Sequence, residues 1–437
     1  MKQWVTTNKT WPLYFAFVVE LLFLFYYKGE LGFVVSPLLL IGSGLFLAIF
    51  PYFISRNSEQ GSEFFFVEFN SPSLLASKQT QQVIWTIFVL VTMAIGLGVS
   101  SLIQKYPIDI NHSDIIPFIQ NVYVDRVRNG VAIYAEVEGY GYGKFHPGYL
   151  PFHWIFFVLS SLLNVDHRWV PFVIFLIATA IYTLVILRNF SDLKKLILLL
   201  SLPLFVLFTI YYENSSDAMH TIEILVLGYY LILCVSLFSR NVSAQAGGLL
   251  LPILSRYALV FWLPVHFLGM LPSQYSRFFK VGFSLLGLVA LFIVPFLINT
   301  PDMFVGFNGA YKTAAIGEWG GQSWQSPGDE PFQLFRGLGF ASWFYKFYPG
   351  TLEDKIDALQ KTMIYVSIAA TLFLLLIRPI LSKVLKPNMF SLLALKFSLT
   401  LFYAFMIIPY NYLMWVPMVV SVVILSRIKE NLFAQSK

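Results

Sequence analysis

Cysteine is almost missing from this chain. The one thiol, Cys234, lies within an apolar run, so no intrachain disulfide and no cysteine-based metal cluster can form. Charge is scarce too: Asp, Glu, Lys and Arg make up 12% of 437 residues, and 57% are hydrophobic. No stretch alternates with the period of a transmembrane strand, which argues against an outer-membrane barrel. No internal repeat and no low-complexity tract is visible. The segment from Lys2 to Lys9 and the apolar run after it lack a small-residue cleavage site, and read as a first span rather than a removable signal. The net charge of +6 comes from Lys and Arg scattered at helix ends, so nucleic acid is not an expected partner.

What remains is a series of long apolar runs. About 20 residues at a rise of 1.5 Å cross a ~30 Å hydrocarbon core, and runs of that order recur near 11–28, 31–54, 82–103, 169–187, 196–211, 221–238, 280–298, 362–380, 389–408 and 411–426. Two further segments are ambiguous. Tyr149–Asn164 is short, contains Pro151 and His153, and suits an interfacial helix. Gly247–Leu271 is broken by Pro252, Arg256 and Pro264, and reads as two short helices rising to a tip at Ser255–Arg256–Tyr257. The fold class is therefore all-α and polytopic, with about 11–13 spans. With an N-terminus in the cytoplasm and a hairpin at 247–271, most cations fall inside, as the positive-inside rule requires. The division that follows is an N-terminal pair with a cytoplasmic loop at 1–81, a membrane module at 82–298, an external loop at 299–361 and C-terminal spans at 362–437. The Phe64–Phe66 run of the first loop is expected on the membrane surface.

Against this background the external segment 104–168 stands out, because it gathers Asp109, His112, Asp114, Asp125, Arg126, Arg128, Glu136, Glu138, Lys144 and His146. A passage through the bilayer does not need them; a reaction at its surface does. A carboxylate can deprotonate an attacking hydroxyl, and nearby cations can hold and neutralise a phosphate leaving group. Asp109, His112 and Asp114 offer hard metal ligands, but their spacing is irregular and the chemistry requires no metal. Asp217 and His220, at i and i+3, share a helix face, where they serve function or helix capping. Arg256, a cation between apolar segments, is either functional or paired with Asp217 or Glu223. Arg126, Arg128 and Lys144 suit phosphate or anionic headgroups. The tryptophans of loop 299–361 (Trp319, Trp324, Trp343) suit sugar stacking or interfacial anchoring, and its aromatics argue that the loop is ordered.

The order of these features resembles the GT-C superfamily of membrane glycosyltransferases. The external acid Asp114 is followed by Gly130 and by His146-Pro147-Gly148-Tyr149-Leu150-Pro151-Phe152-His153-Trp154. Next come a span bounded by Arg188 and Lys194–Lys195, an external Asp217 opening a helix, and a hairpin carrying Gly247-Gly248 and Arg256 where the family often has a Lys. Two spans precede the usual first one. The resemblance implies an inverting glycosyltransferase that moves one sugar from a polyprenyl monophosphate to a glycan, lipid or protein acceptor. Asp114 would be its general base, and Arg126, Arg128, Lys144, His146, Asp217, His220 and Arg256 its phosphate- and substrate-binding groups. No cofactor is implied; a divalent metal is compatible but not needed. The setting implied is a bacterial inner membrane with the site facing outward. The rivals are an oligosaccharide polymerase or ligase, which calls for paired external arginines, and a transporter, which calls for midplane charges and repeated halves.

Overall fold

The computed structural model describes residues 11–26, 32–56, 77–110, 113–140, 144–188, 193–271, 274–301, 307–321, 329–336 and 338–427. The Phe64–Phe66 run, His112 and Trp324 lie outside the described residues.

The chain is an all-α bundle; among the described residues the one sheet is a ribbon of two-residue strands, Val137–Glu138 against Lys144–Phe145. Among the described residues six helices are long and apolar enough to cross a bilayer: Gly32–Ser55, Lys78–Lys105, Trp169–Leu187, Leu196–Glu213, Tyr275–Asn299 and Leu352–Leu381. That is fewer than the sequence leads one to expect. Trp11–Tyr26, Glu223–Ser236 and Trp415–Ser426 are apolar but short, and for the last two the reason is visible in the packing. Every residue of Glu223–Ser236 except Ile232 is buried, as is all of Trp415–Ser426. A helix apolar on all sides belongs inside a protein, and one lined by other helices need not match the thickness of lipid. The Leu352–Leu381 helix starts earlier than the expected 362, because Thr351 and Asp354 form a capping box that fixes its first turn. The loop expected over 299–361 therefore ends at 351.

Close approach at the centre depends on two glycines. A Cβ on Gly228 would meet the Phe175 backbone at 3.2 Å, and one on Gly248 would meet the Ser236 hydroxyl at 2.1 Å. Small residues at these crossings let the Glu223–Ser236 helix touch both Trp169–Leu187 and Val242–Ile253. On another side of the core, the Lys396 ammonium pairs with Glu20, and donates to the Pro417 carbonyl at 2.9 Å. The Ser421 hydroxyl completes the carboxylate's shell at 2.8 Å. The N-terminal helix is thus pinned to the last two helices.

The bundle has two ends. At one, the Arg427 guanidinium lies 3.8 Å over the Phe238 ring, Arg378 donates to the Gly269 carbonyl at 2.7 Å, and Arg277 donates to Gln245 Oε1 at 3.0 Å. Since Gln245 stands in the first turn of Val242–Ile253 and Arg277 in the first turn of Tyr275–Asn299, the segment between them, with Tyr257–Leu259 and Leu263–Met270, leaves and returns at the same end. It is the hairpin read from the sequence, with Arg256 at its tip. The opposite end collects the described parts of the first large loop and of the 299–351 segment, the turn after Glu213, the hairpin tip and residues 405–414. There Ser113 donates to the His220 carbonyl at 3.1 Å, Trp319 to the Ile407 carbonyl at 2.7 Å and Trp343 to the Phe33 carbonyl at 2.9 Å.

Candidate functional site

The first loop is a folded unit with an aromatic core. Ile115–Phe118, the π-helical turn Ile119–Val124 and Asp125–Arg128 run on end to end. They bury Phe118 and Tyr123 against the Pro151–Leu162 helix and the residues before it. The Tyr123 ring stacks on Trp154 at 5.3 Å and on Tyr149 at 5.9 Å. Its hydroxyl accepts from the Tyr149 backbone at 2.8 Å, and the Tyr134 hydroxyl donates to the Tyr149 carbonyl at 2.9 Å. This core fixes the start of the helical segment, and Asp114 sits directly before it.

Asp114 is thereby brought to the 214–222 turn. Beside the Ser113 bond to His220, Tyr106 and Ser215 share a hydroxyl–hydroxyl bond of 3.0 Å, and His220 Nε2 lies 3.2 Å from the Pro107 carbonyl. His220 Nδ1 faces the Ser216 carbonyl at 2.9 Å. The short helix here is Ser215–His220 with Asn214 as its N-cap, so Asp217 is not the cap the spacing allowed for. Its carboxyl is half-buried, and burial pushes its pKa up against the opposing pull of His220. A carboxyl so placed is a candidate for proton chemistry.

The hairpin tip supplies the cation. Arg256 pairs with Glu223, which is completely buried, while the arginine side chain keeps 21% of its surface exposed. Of the two structural partners the sequence offered, Glu223 is the one that meets it. The pair is unsaturated: Glu223 Oε2 and Arg256 Nε are buried with no hydrogen-bond partner, and the buried Tyr230 and Tyr403 hydroxyls near Arg256 face each other. Tyr412 lies within electrostatic reach of Glu223, Asp217 and Arg256, and Tyr311 within reach of Arg256. Tyr412 stacks on Tyr410 at 5.0 Å, and Tyr410 in turn donates to Glu318 at 2.9 Å. Burial raises the Tyr410 hydroxyl well above its usual pKa, helped by the charges of Glu318 and Asp114. Asp114, Asp217, Glu223 and Arg256 are thus joined through one patch of tyrosines.

Other residues singled out in the sequence stand elsewhere. The Arg126 guanidinium donates to the carbonyls of Ile133, Ala135 and Glu136 at 2.9, 2.6 and 3.0 Å, closing its own loop around Gly130. Arg128 reaches Ser161 Oγ at 3.2 Å. Lys144 is exposed on the ribbon opposite Glu138, and His146 Nδ1 faces the Tyr134 carbonyl at 3.0 Å. Arg126, Arg128 and His146 thus bind within their own loop, and Lys144 faces outward from the ribbon. Trp319 is fully buried, in a small core with Leu334, Ile356 and Ile407, so it presents no face to a sugar. Among the described residues no group of three His, Cys, Asp or Glu is placed to hold a metal ion. The tyrosines at 311, 403, 410 and 412 were not anticipated; the only signal was the short external turn at Pro409–Asn411.

Beside the site runs an apolar groove of about 690 Å³ between the Lys78–Lys105 and Leu193–Glu213 helices. It extends from Ile84 to Leu102 along the first helix and ends at Tyr211 and Tyr212, just before the 214–222 turn. No family model, curated protein or solved structure matches this chain.

Proposed function

We propose that this protein is an integral-membrane glycosyltransferase of the GT-C type, transferring one sugar from a polyprenyl monophosphate to a glycan, lipid or protein acceptor with inversion. The observation that carries the reading is the gathering of Asp114, Asp217 and the partly exposed Arg256 at one end of the bundle. A carboxylate and a guanidinium at that place suit the two halves of the reaction. Asp114 takes the proton of the attacking acceptor hydroxyl. Arg256 holds the phosphate as the bond from the sugar C1 to its oxygen breaks and negative charge grows there. Asp217 with His220 lines the donor side. Arg126, Arg128, Lys144 and His146 then maintain the loop that presents Asp114.

The groove beside the Lys78–Lys105 helix supports a lipid-linked donor, since its apolar lining suits an isoprenoid chain whose phosphate would emerge near the 214–222 turn. In this reading the site faces the periplasm of a bacterial inner membrane. The test is an assay of membranes containing the protein with radiolabelled polyprenyl-phosphate mannose, glucose and arabinose. Label from one donor should pass to an acceptor with wild-type protein and not with Asp114→Asn. Failure of all three to give up their sugar to any acceptor, in membranes where the protein is folded, overturns the proposal.

A further inference from the structure

We propose that Glu223 is a positioning residue that takes up a proton from solvent when an anion binds Arg256, so that substrate binding here is coupled to protonation. The inference rests on the reading of Arg256 as the phosphate-binding cation.

The argument begins with the isolation of Glu223. It is 0% exposed, one oxygen meets Arg256 and the other, Oε2, is buried without a partner. The titratable groups that face it come from three elements. They are Arg256 from the hairpin tip, Tyr403 from the Pro387–Ala404 helix and Tyr412 from the turn after it, while Tyr230 of its own helix faces Arg256. Around Arg256 stand His153, Tyr149 and Tyr311, and beyond Tyr412 stands Asp217. Among these described neighbours Arg256 is the only permanent cation. In the resting site one positive and one negative charge balance.

A phosphate brought to the exposed face of Arg256 changes that balance. Two anions then share a single cation, one of them the fully buried Glu223, and like charges so placed favour neutralising the one that water does not reach. The phosphodiester is too strong an acid to take the proton. Glu223 takes it, on the oxygen that no side chain occupies. One proton moves from solvent to Glu223 Oε2 as one ester anion enters, and the site's net charge is unchanged. The carboxyl still aims the guanidinium, so its part is to position Arg256 rather than to touch the reacting atoms. Binding should therefore weaken as pH rises.

The experiment uses the full chain in nanodiscs and farnesyl methyl phosphate, a phosphodiester that stays a monoanion from pH 5.5 to 8.5. Wild-type affinity should fall by about tenfold per pH unit in the upper part of that range, the slope for one linked proton. Glu223→Gln, which keeps shape and removes the charge, should bind equally well at every pH and match the wild type at pH 5.5. His153→Gln and Asp217→Asn should keep the slope. Calorimetry of the wild type in two buffers of different ionisation enthalpy should count one proton taken up per ester bound, a readout that does not depend on any variant folding. A flat wild-type profile, no proton uptake, or a slope that survives in Glu223→Gln overturns the proposal. Wild-type affinity in Arg256→Ala would instead remove the phosphate assignment beneath it.

Discussion

The Ser113 hydroxyl reaches the His220 carbonyl at 3.1 Å, across 107 residues of sequence. That one bond sets the residue after Ser113 beside the turn that carries Asp217, and so decides where the proposed base stands.

Asp114→Asn should leave expression and thermal stability nearly unchanged and abolish sugar transfer. The carboxamide keeps the shape but cannot take the proton, and loss of general-base help is worth ~10²-fold or more in rate. A variant retaining more than about a tenth of the wild-type rate would remove Asp114 from that role.

The two ends of the bundle predict opposite accessibility. In a Cys234→Ser background, single cysteines at Ser113, Ser216 and Thr351 should label with an impermeant maleimide from one side of the membrane. Cysteines at Ser243 and Ser382 should label only after permeabilisation, or from the other face of inverted vesicles. Labelling of Ser113 and Thr351 from different sides would separate the 299–351 segment from the site.

The Lys396–Glu20 pair should behave as a buried salt bridge. Lys396→Ala or Glu20→Ala alone should cost about 3–5 kcal/mol, because each strands a charge in the core. Lys396→Met with Glu20→Leu should recover most of that loss, since a hydrophobic replacement of both partners is often neutral or better. Thermal unfolding of the three variants in detergent reads the cycle; a double variant no better than the singles would contradict it.

For Asp217 the sign of the pH effect is fixed by its raised pKa. The folded state holds the proton more tightly than the unfolded chain, so stability falls as pH rises from the ordinary carboxylate value to the folded one, and is level above that. Asp217→Asn should therefore stabilise the protein at neutral pH, with the gain vanishing below about pH 4. Denaturation curves at several pH values test this, and a gain that persists at acid pH would point to a cause other than the buried charge.

Gly98 lines the apolar groove, and a side chain built there meets nothing within 4 Å. Gly98→Phe should fill part of the groove without strain, lowering transfer from long polyprenyl donors far more than from a short isoprenoid analogue. Equal losses for both would show that the chain lies elsewhere.

Much of the arrangement was readable, and the exceptions have physical reasons. Arg256 could be placed at a hairpin tip because Pro252 and Pro264 break the run and the distribution of cations fixes the parity of the spans. Asp114 could be singled out because charge is rare here. By contrast, the carbonyls that engage Arg126 come together only when the chain folds back through Gly130, whose φ of 65° no pattern of hydrophobicity signals. Glu20 and Lys396 are 376 positions apart, each alone in an apolar stretch, and nothing local marks them as partners. Tyr403 and Tyr412 lie near helix ends, where aromatics usually mean interfacial anchoring; their turn toward Glu223 is a product of tertiary packing. The expected number of spans exceeds the six long apolar helices among the described residues, and it does so partly at the buried helices, since hydropathy reports how apolar a segment is and not whether lipid or protein surrounds it.

The contact between Gln245 and Arg277 has a consequence for biogenesis. A segment that begins and ends at the same face contributes helices to the protein but no crossing to its itinerary. The Tyr275–Asn299 helix therefore enters the membrane with the polarity it would have if residues 246–271 were absent, and so does everything after it. The segment bearing Arg256 is free to change in length or sequence without inverting the helices that follow.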